Sequence, residues 1–450
     1  MSRQLFGTDG IRGVAGQFPL DPATVHAAGR TLGAWCGRHH PSPEVLIGTD
    51  TRESCGWIAE HLAGGLREEG VGTRFAGLVT TPGVAYLTRR DDFVAGVMIS
   101  ASHNPYQDNG IKIFDHSGYK LADEDELRLE EEIFRRLKLD VAPRPARLEV
   151  DPGLDEQYTD YLAATLGRPL RPMKIAVDCG HGAASTLAPQ LFQRLGLGVV
   201  RMGCDPDGRN INDGCGALHI DGLRRLVAAS GADAGFAFDG DADRCIAISG
   251  SGRTVDGDAI LFLSARRLLA VGRLASDGHE PVVVSTVMSN LGLELSLAEM
   301  GVRMLRTAVG DLYVLEEMLR RGALLGGEQS GHIIFHEYAT TGDGLLTALR
   351  VLEAMSASGQ SLDELVAGLP VYPQLLVNVR VRERRPLESL PAVSAAIRGV
   401  EERLAGKGRA VVRFSGTEPL ARVMVEGPTR EAVEAAAAEI AGAIRAEIGA

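Results

Sequence analysis

Two kinds of segment alternate along the chain. Short β-branched apolar runs stop in small polar loops, and longer stretches with apolar residues at helical spacing follow them. "PEVLIGTDTR" from Pro43, "MKIAVDCGHGAA" from Met173 and "EPVVVSTVMSN" from Glu280 each read as a strand entering a loop. "GWIAEHLAGGLREEG", "STLAPQLFQRLG" and "LGLELSLAEMG" then read as the helices that follow. Strand, loop and helix in that order predict three similar α/β domains with mostly parallel pairing inside mixed sheets. The units share a pattern, not residues.

Boundaries fall where composition shifts. Leu139 to Gly153, "LDVAPRPARLEVDPG", is rich in Pro and Arg, Ile248 to Asp258 is rich in Gly, and Leu365 to Gln374 carries two prolines. Beyond it, "LLVNVRVRE" alternates as an amphipathic strand, "AVVRF" and "ARVMVEG" are two more, and a helical stretch closes the chain. That tail predicts a smaller C-terminal α+β domain. The expected domains are residues 1–152, 153–253, 254–367 and 368–450.

Composition narrows the partners. The chain has 450 residues, 45% apolar and 24% charged, as in a globular protein. A net charge of −12 argues against general nucleic-acid or anionic-membrane binding, so an anionic ligand needs a local basic cleft. The N-terminus lacks the apolar core of a signal peptide, and no run of 18 apolar residues occurs. Six scattered cysteines without a CxxC pair suggest reduced thiols and a cytoplasmic location.

Five passages carry candidate chemistry. "ISASHNPYQDNGIKIF" (Ile99 to Phe114) breaks a buried strand with a turn holding Ser100, Ser102 and His103, then restarts as a strand. The G-x-S-x-G elbow of serine hydrolases is absent. His103 is not made the base of Ser102 by adjacency, because neighbours on an extended chain point apart. The alternative is a turn whose serines satisfy backbone groups. "FDGDADRC" places Asp239, Asp241 and Asp243 at alternate positions after the apolar "AGFAF". Such carboxylates repel unless a cation neutralises them, and all-oxygen ligands suit magnesium or calcium. An EF-hand is excluded, since Arg244 and Gly250 stand where Gly and Glu are required. A solvated acidic turn is the plain alternative. In "VVRFSGTEPLARVMVEG", Ser415, Gly416 and Thr417 form a turn between strands, flanked by Arg413 and Arg422. It is either an anion nest or an ordinary hairpin. "GGEQSGHIIF" offers Glu328, Gln329, Ser330 and His332, a set suited to sugar hydroxyls, and "FGTDGIRG" offers Arg12 as an anion contact.

Taken in order, these passages resemble the α-D-phosphohexomutase family from Phe6 to Gly427. "SASHNP" is similar to the family's phosphoserine loop, with the serine before His, Ser102, as the phosphorylated residue. "DGDADR" resembles its magnesium loop, "GGEQSGH" its sugar loop and "RFSGTEPLAR" its phosphate-binding loop. Gln329 and the opening "FGTDGIRG" resemble the glucosamine branch. Leu312 in "GDLYV" departs from relatives, which commonly carry Arg there.

The resemblance implies four domains arranged around a central cleft. It also implies interconversion of glucosamine 6-phosphate and glucosamine 1-phosphate through a phosphoserine enzyme and a 1,6-bisphosphate. Mg2+ would be held by Ser102, Asp239, Asp241 and Asp243, and glucose or glucosamine 1,6-bisphosphate would serve as activator. Arg12, Lys112 and Arg244 would supply cationic charge, with Lys112 or His332 as candidate for proton transfer and His103 beside the carrier. Glu328, Gln329, Ser330, Arg413, Ser415, Gly416, Thr417 and Arg422 would bind substrate. Family relatives suggest a homodimer. The competing readings are the same reaction on mannose or glucose phosphates, a metal-dependent phosphohydrolase, and a non-catalytic sugar-phosphate sensor.

Overall fold

The computed structural model describes residues 4–7, 9–139, 141–275, 280–404, 406–415 and 419–450. It divides into two compact units, Met1–Thr286 with Thr307–Ala367, and Val287–Arg306 with Gly368–Ala450.

The first unit contains mixed sheets flanked by helices. In the first sheet, Glu44–Thr49 pairs in parallel with Gly72–Leu78 and Ala95–Ile99. Asp108–Asp115 then runs antiparallel to Ala95–Ile99, and the N-terminal hairpin Phe6–Gly7 and Gly10–Val14 extends the edge. The second sheet repeats the plan. Lys174–Asp178 pairs in parallel with Gly198–Met202 and Ala234–Phe238, and Cys245–Ser249 returns antiparallel to Ala234–Phe238. In the third, Val282–Thr286 pairs in parallel with Leu325–Gly327, and Ile333–Phe335 returns antiparallel.

Ala95–Ile99 and Ala234–Phe238 are buried along their whole length, which is why both read as unbroken apolar runs. Helices Cys55–Glu68 and Pro22–His39 pack together against the first sheet through Ile58, Leu62, Leu66, Val25 and Leu32. The N-terminal hairpin is anchored by a buried acid. Glu130, on helix Asp123–Leu137, accepts the backbone N–H groups of Gln4, Leu5 and Phe6 at 2.9, 2.8 and 3.0 Å.

The second unit carries the C-terminal domain. Its antiparallel strands Gln374–Arg380, Leu420–Glu426 and Arg409–Phe414, with Leu420–Glu426 in the centre, are covered by helices Pro391–Leu404 and Arg430–Ile448. Val379, Val423, Val425, Val400, Ile440 and Ile444 form its core. The architecture is thus three α/β domains with mixed sheets and a smaller C-terminal α+β domain.

Candidate active site

Three of the chemistry-bearing loops occupy one topological position. Each joins the last parallel strand of its sheet to the antiparallel strand beside it: Ile99 to Asp108, Phe238 to Cys245, and Gly327 to Ile333. In open α/β sheets, ligands gather outside the carboxyl ends of the parallel strands. Here these loops meet in a cleft of about 400 Å³ lined by Arg12, Ser102, His103, Asp243, Glu328 and His332, among others.

The serine loop separates its two serines by role. Ser102 has φ +52°, a left-handed conformation that non-glycine residues adopt only when their surroundings impose it. Its Oγ donates to Asp239 Oδ2 at 2.6 Å and lies 3.3 Å from His103 Nδ1. Ser100 faces the interior. Its Oγ donates to Asp50 Oδ2 at 2.6 Å and accepts the Ser102 N–H at 2.9 Å. Ser102 lines the cleft, whereas Ser100 braces the turn from behind.

Asp239, Asp241 and Asp243 are all buried, and oxygens from the three lie within 4.8 Å of one another. Ala242, at φ +56°, turns the loop tightly enough to aim them inward. Burial, then the Asp243 and Asp241 charges, push the Asp239 carboxyl well up. Asp243 behaves oppositely: burial opposes ionisation, but Lys112 and His332 hold its carboxyl well below the usual range. Asp241 Oδ1 and Asp243 Oδ1 are buried without a hydrogen-bond partner. Orphaned anionic oxygens in an all-carboxylate nest fit a hard divalent cation. The set is a candidate metal site.

Cations surround this nest. Lys112 Nζ lies 2.7 Å from Asp241 Oδ2, 3.0 Å from Asp9 Oδ2 and 3.5 Å from Asp243 Oδ2. Those carboxylates outweigh its desolvation and raise its pKa, so it remains an ammonium. Arg12 pairs with Asp9, and Lys120 pairs with Asp9 and with Asp311. Thr81, the first residue of helix Thr81–Arg90, donates its N–H to the Asp241 carbonyl at 3.0 Å and its hydroxyl to the Asp241 carboxylate. Burial and the nearby Arg244 and Arg12 lower the His103 pKa to about 4, leaving a neutral imidazole at pH 7.

His332 is held by its neighbours. Its Nε2 accepts the Gly342 N–H at 3.0 Å, which leaves the ring proton on Nδ1, 3.7 Å from Asp243. Burial alone would lower its pKa, but Asp243, Asp311 and Glu328 raise it. A Cβ at residue 342 would stand 2.5 Å from the ring, so glycine is required there. Glu328 Oε1 accepts the Gly310 N–H at 3.1 Å.

Most of the chain matches the phosphoglucomutase/phosphomannomutase family: alpha/beta/alpha domain I over residues 3–140, domain II over 156–252, domain III over 256–372 and the C-terminal domain over 376–443. A phosphoglucosamine mutase of Solibacter usitatus is 59% identical over 449 residues, spanning 100% of both chains. The chain belongs to the phosphohexomutase family. Its place there is among the phosphoglucosamine mutases, which makes it an isomerase. A phosphoglucomutase/phosphomannomutase family protein of Burkholderia thailandensis shares the fold, with a TM-score of 0.80 at 24% identity over 98% of this chain and 97% of that one. So does Aspergillus fumigatus N-acetylphosphoglucosamine mutase, solved with GlcNAc-6P and magnesium (TM-score 0.69, 21% identity, 99% and 96% covered).

In this phosphohexomutase the residues expected from sequence divide into groups. Ser102, His103, Arg12, Arg244, Asp243, Glu328 and His332 line one cleft. Asp239, Asp241 and Lys112 stand directly behind its wall. Gln329 and Ser330 are not in that lining: Gln329 hydrogen-bonds the Asp256 carboxylate, and Ser330 is exposed.

In the C-terminal unit, Arg413 and Arg422 face each other across adjacent strands, and Arg422 donates to Ser415 Oγ at 3.5 Å. Burial and then the neighbouring Arg422 charge lower the Arg413 pKa. Gly416 and Thr417 lie outside the described residues.

Several residues the sequence reading did not single out belong to this assembly. Lys120 bridges Asp9 and Asp311 through two ion pairs, and Asp50, Arg52 and Asn212 support the serine turn. Asp50 and Arg52 sit in "GTDTR", where a strand entering a polar loop was the only available signal. Lys120 and Asn212 lie in no motif at all.

Among the described residues, no helix is long and apolar enough to cross a membrane, and all six cysteines are free and buried.

Proposed function

We propose that this phosphohexomutase interconverts glucosamine 6-phosphate and glucosamine 1-phosphate, with Ser102 as the phosphoryl carrier. The observation that carries the reading is Ser102 Oγ, 2.6 Å from Asp239 in a buried triple-carboxylate nest, at the wall of a cleft shared with Arg12, Glu328 and His332. A non-catalytic sensor has no use for a hydroxyl held in that position.

In the forward direction the Ser102 O–P bond breaks and a bond forms from phosphorus to the sugar O1, whose proton leaves to a base. The 1,6-bisphosphate then reverses its ends. The O6–P bond breaks, the phosphoryl group returns to Ser102, and O6 regains a proton. Proton handling falls to a group that lines the cleft, His103 or His332, because Lys112 lies behind the wall as a fixed charge. Arg12 and Arg244 offset the phosphate charge, and phosphoryl transfer depends chiefly on such positioning. Glu328 accepts from sugar hydroxyls.

Asp239, Asp241, Asp243 and a Ser102 phosphate oxygen would hold Mg2+, which supplies charge neutralisation when bound. The magnesium of the Aspergillus protein supports that choice of ion. A 1,6-bisphosphate of glucose or glucosamine would load Ser102. In the C-terminal unit, Arg413, Ser415 and Arg422 are the proposed phosphate contacts.

The test joins mass and rate. The purified protein should carry one phosphate that maps to Ser102. Its kcat/KM should be highest on glucosamine phosphate, with lower activity on glucose and mannose phosphates. Phosphate on another residue removes the carrier assignment. Faster turnover of mannose phosphate removes the substrate assignment and leaves the mutase chemistry. Net release of inorganic phosphate would support a hydrolase instead.

A further inference from the structure

The strained conformation of Ser102 needs an external cause. A non-glycine residue at φ +52° does not rest there unaided. The contacts behind it supply that cause. Arg52 Nη2 donates to the Ser102 carbonyl at 3.0 Å and to the Asn104 carbonyl at 2.6 Å. Asn212 Nδ2 donates to the same two carbonyls at 2.9 and 3.1 Å. Each donor spans both acceptors, so the shape of the turn is specified and not merely its presence.

The donors are themselves immobilised. The Arg52 side chain is fully buried and ion-paired with Asp50, which also accepts from Ser100 Oγ. Asn212 is itself left-handed, at φ +60°, with its N–H donated to the Gly180 carbonyl at 2.8 Å. Gly240 of the carboxylate loop packs on the Ser102 carbonyl so closely that a Cβ there would stand 2.4 Å away.

We propose that Arg52 and Asn212 are positioning residues: a two-sided clamp that pulls the Ser102 and Asn104 carbonyls away from the cleft and thereby aims Ser102 Oγ at the Asp239–Asp243 nest. Arg52 differs in kind from Arg12 and Arg244. Its charge is engaged by Asp50 and its Nη2 by the two backbone carbonyls, so it serves the carrier and not the phosphate. A displacement near 1 Å at a phosphoryl carrier costs up to about a hundredfold in rate, which is the scale such a clamp controls. The inference rests on Ser102 being the carrier.

The test uses the full-length enzyme with glucosamine 6-phosphate and a 1,6-bisphosphate, and kcat is expressed per phosphoserine found by intact mass. Asn212→Gly deletes the amide while keeping a residue that adopts φ +60° freely. Arg52→Lys keeps the charge beside Asp50 but not the planar fork that spans two carbonyls. Each variant should lower kcat at least tenfold, with KM within about twofold. The double variant should fall less than the product of the two, since both hold the same carbonyls. Wild-type kcat in Asn212→Gly overturns the clamp, and so does a KM that rises in step with the loss, which would make these residues phosphate contacts. Should Arg52→Lys not fold, Asn212→Gly decides alone. Phosphate mapping to a residue other than Ser102 defeats the carrier reading, whereas phosphate on Ser102 with unimpaired variants defeats only the clamp.

Discussion

Asp343 caps helix Gly344–Ser358, accepting the Leu346 N–H at 2.9 Å, and accepts a hydrogen bond from the Tyr158 hydroxyl at 2.9 Å. It is 2% exposed, and burial pushes its carboxyl up to about 6, against the lowering effect of those two bonds. Between pH 4 and 6 the folded protein therefore keeps this proton while the unfolded chain has released it. The unfolded state binds fewer protons, so this group's contribution to stability falls as pH rises through that window and levels off above 6. With an unfolded value of 3.8, the cost above pH 6 is ~3 kcal/mol, at about 1.4 kcal/mol per tenfold change in proton affinity. Asp343→Asn removes the ionisation and keeps the essential geometry. Its Oδ1 still caps Leu346, and its amide donates to Tyr158 Oη in place of accepting from it. Urea unfolding of the two proteins, followed by tryptophan fluorescence from pH 4.5 to 7.5, should show the variant gaining on the wild type by ~2 kcal/mol as pH rises, since about a third of the full ~3 kcal/mol is already lost at pH 4.5. A constant offset from hydrogen-bond rearrangement would not matter. A stability difference that does not change with pH would refute the reasoning.

Ser102→Ala should abolish mutase turnover, whereas Ser100→Ala should keep part of it and lose about 1–3 kcal/mol of stability. Ser100 Oγ makes two short buried hydrogen bonds, each worth about 0.5–1.5 kcal/mol, besides a longer one from Arg52 Nη1 at 3.4 Å, and unfolding curves with a steady-state assay separate the two variants. Chelation should remove wild-type activity and Mg2+ restore it, while Asp241→Ala should remain inactive in saturating Mg2+. Gly182→Ala should lower both thermal stability and kcat, because its Cβ would meet the Gly240 carbonyl oxygen at 2.3 Å and displace the carboxylate loop. Gln329→Met should depress all hexose phosphates together, because the side chain meets Asp256, the cap of helix Gly257–Ala270, outside the cleft lining; a changed ratio between substrates would show a direct contact instead.

The Gln329 case shows why a motif is an incomplete guide. Glu328 and Gln329 are neighbours in "GGEQSGH", where the strand has ended and the Gly331 N–H donated to the Glu328 carbonyl at 3.0 Å closes a turn that sends their side chains apart. One reaches the cleft and the other the cap of a helix. The serines show the converse. Ser100 and Ser102 share parity and would face one way in a regular strand, but the left-handed φ of Ser102 breaks the alternation and turns its hydroxyl to the carboxylate nest.

The sequence by itself determined the order of strands and helices, the different character of the C-terminal tail, and the residue types of each loop. These follow from local causes: apolar periodicity, β-branching, and the turn chemistry of Gly, Asn, Asp and Pro. The common topological place of the three loops was decided by tertiary structure, because the reversal from parallel to antiparallel pairing after Ile99, Phe238 and Gly327 depends on strands drawn from elsewhere in each sheet. So were the partners of Lys112, which lie 103 to 131 positions away along the chain, and the two-sided grip of Arg52 and Asn212 on one turn. Hydrogen bonds and ion pairs act over a few ångströms of space and carry no signature along the chain, so only folding could bring those groups to Ser102.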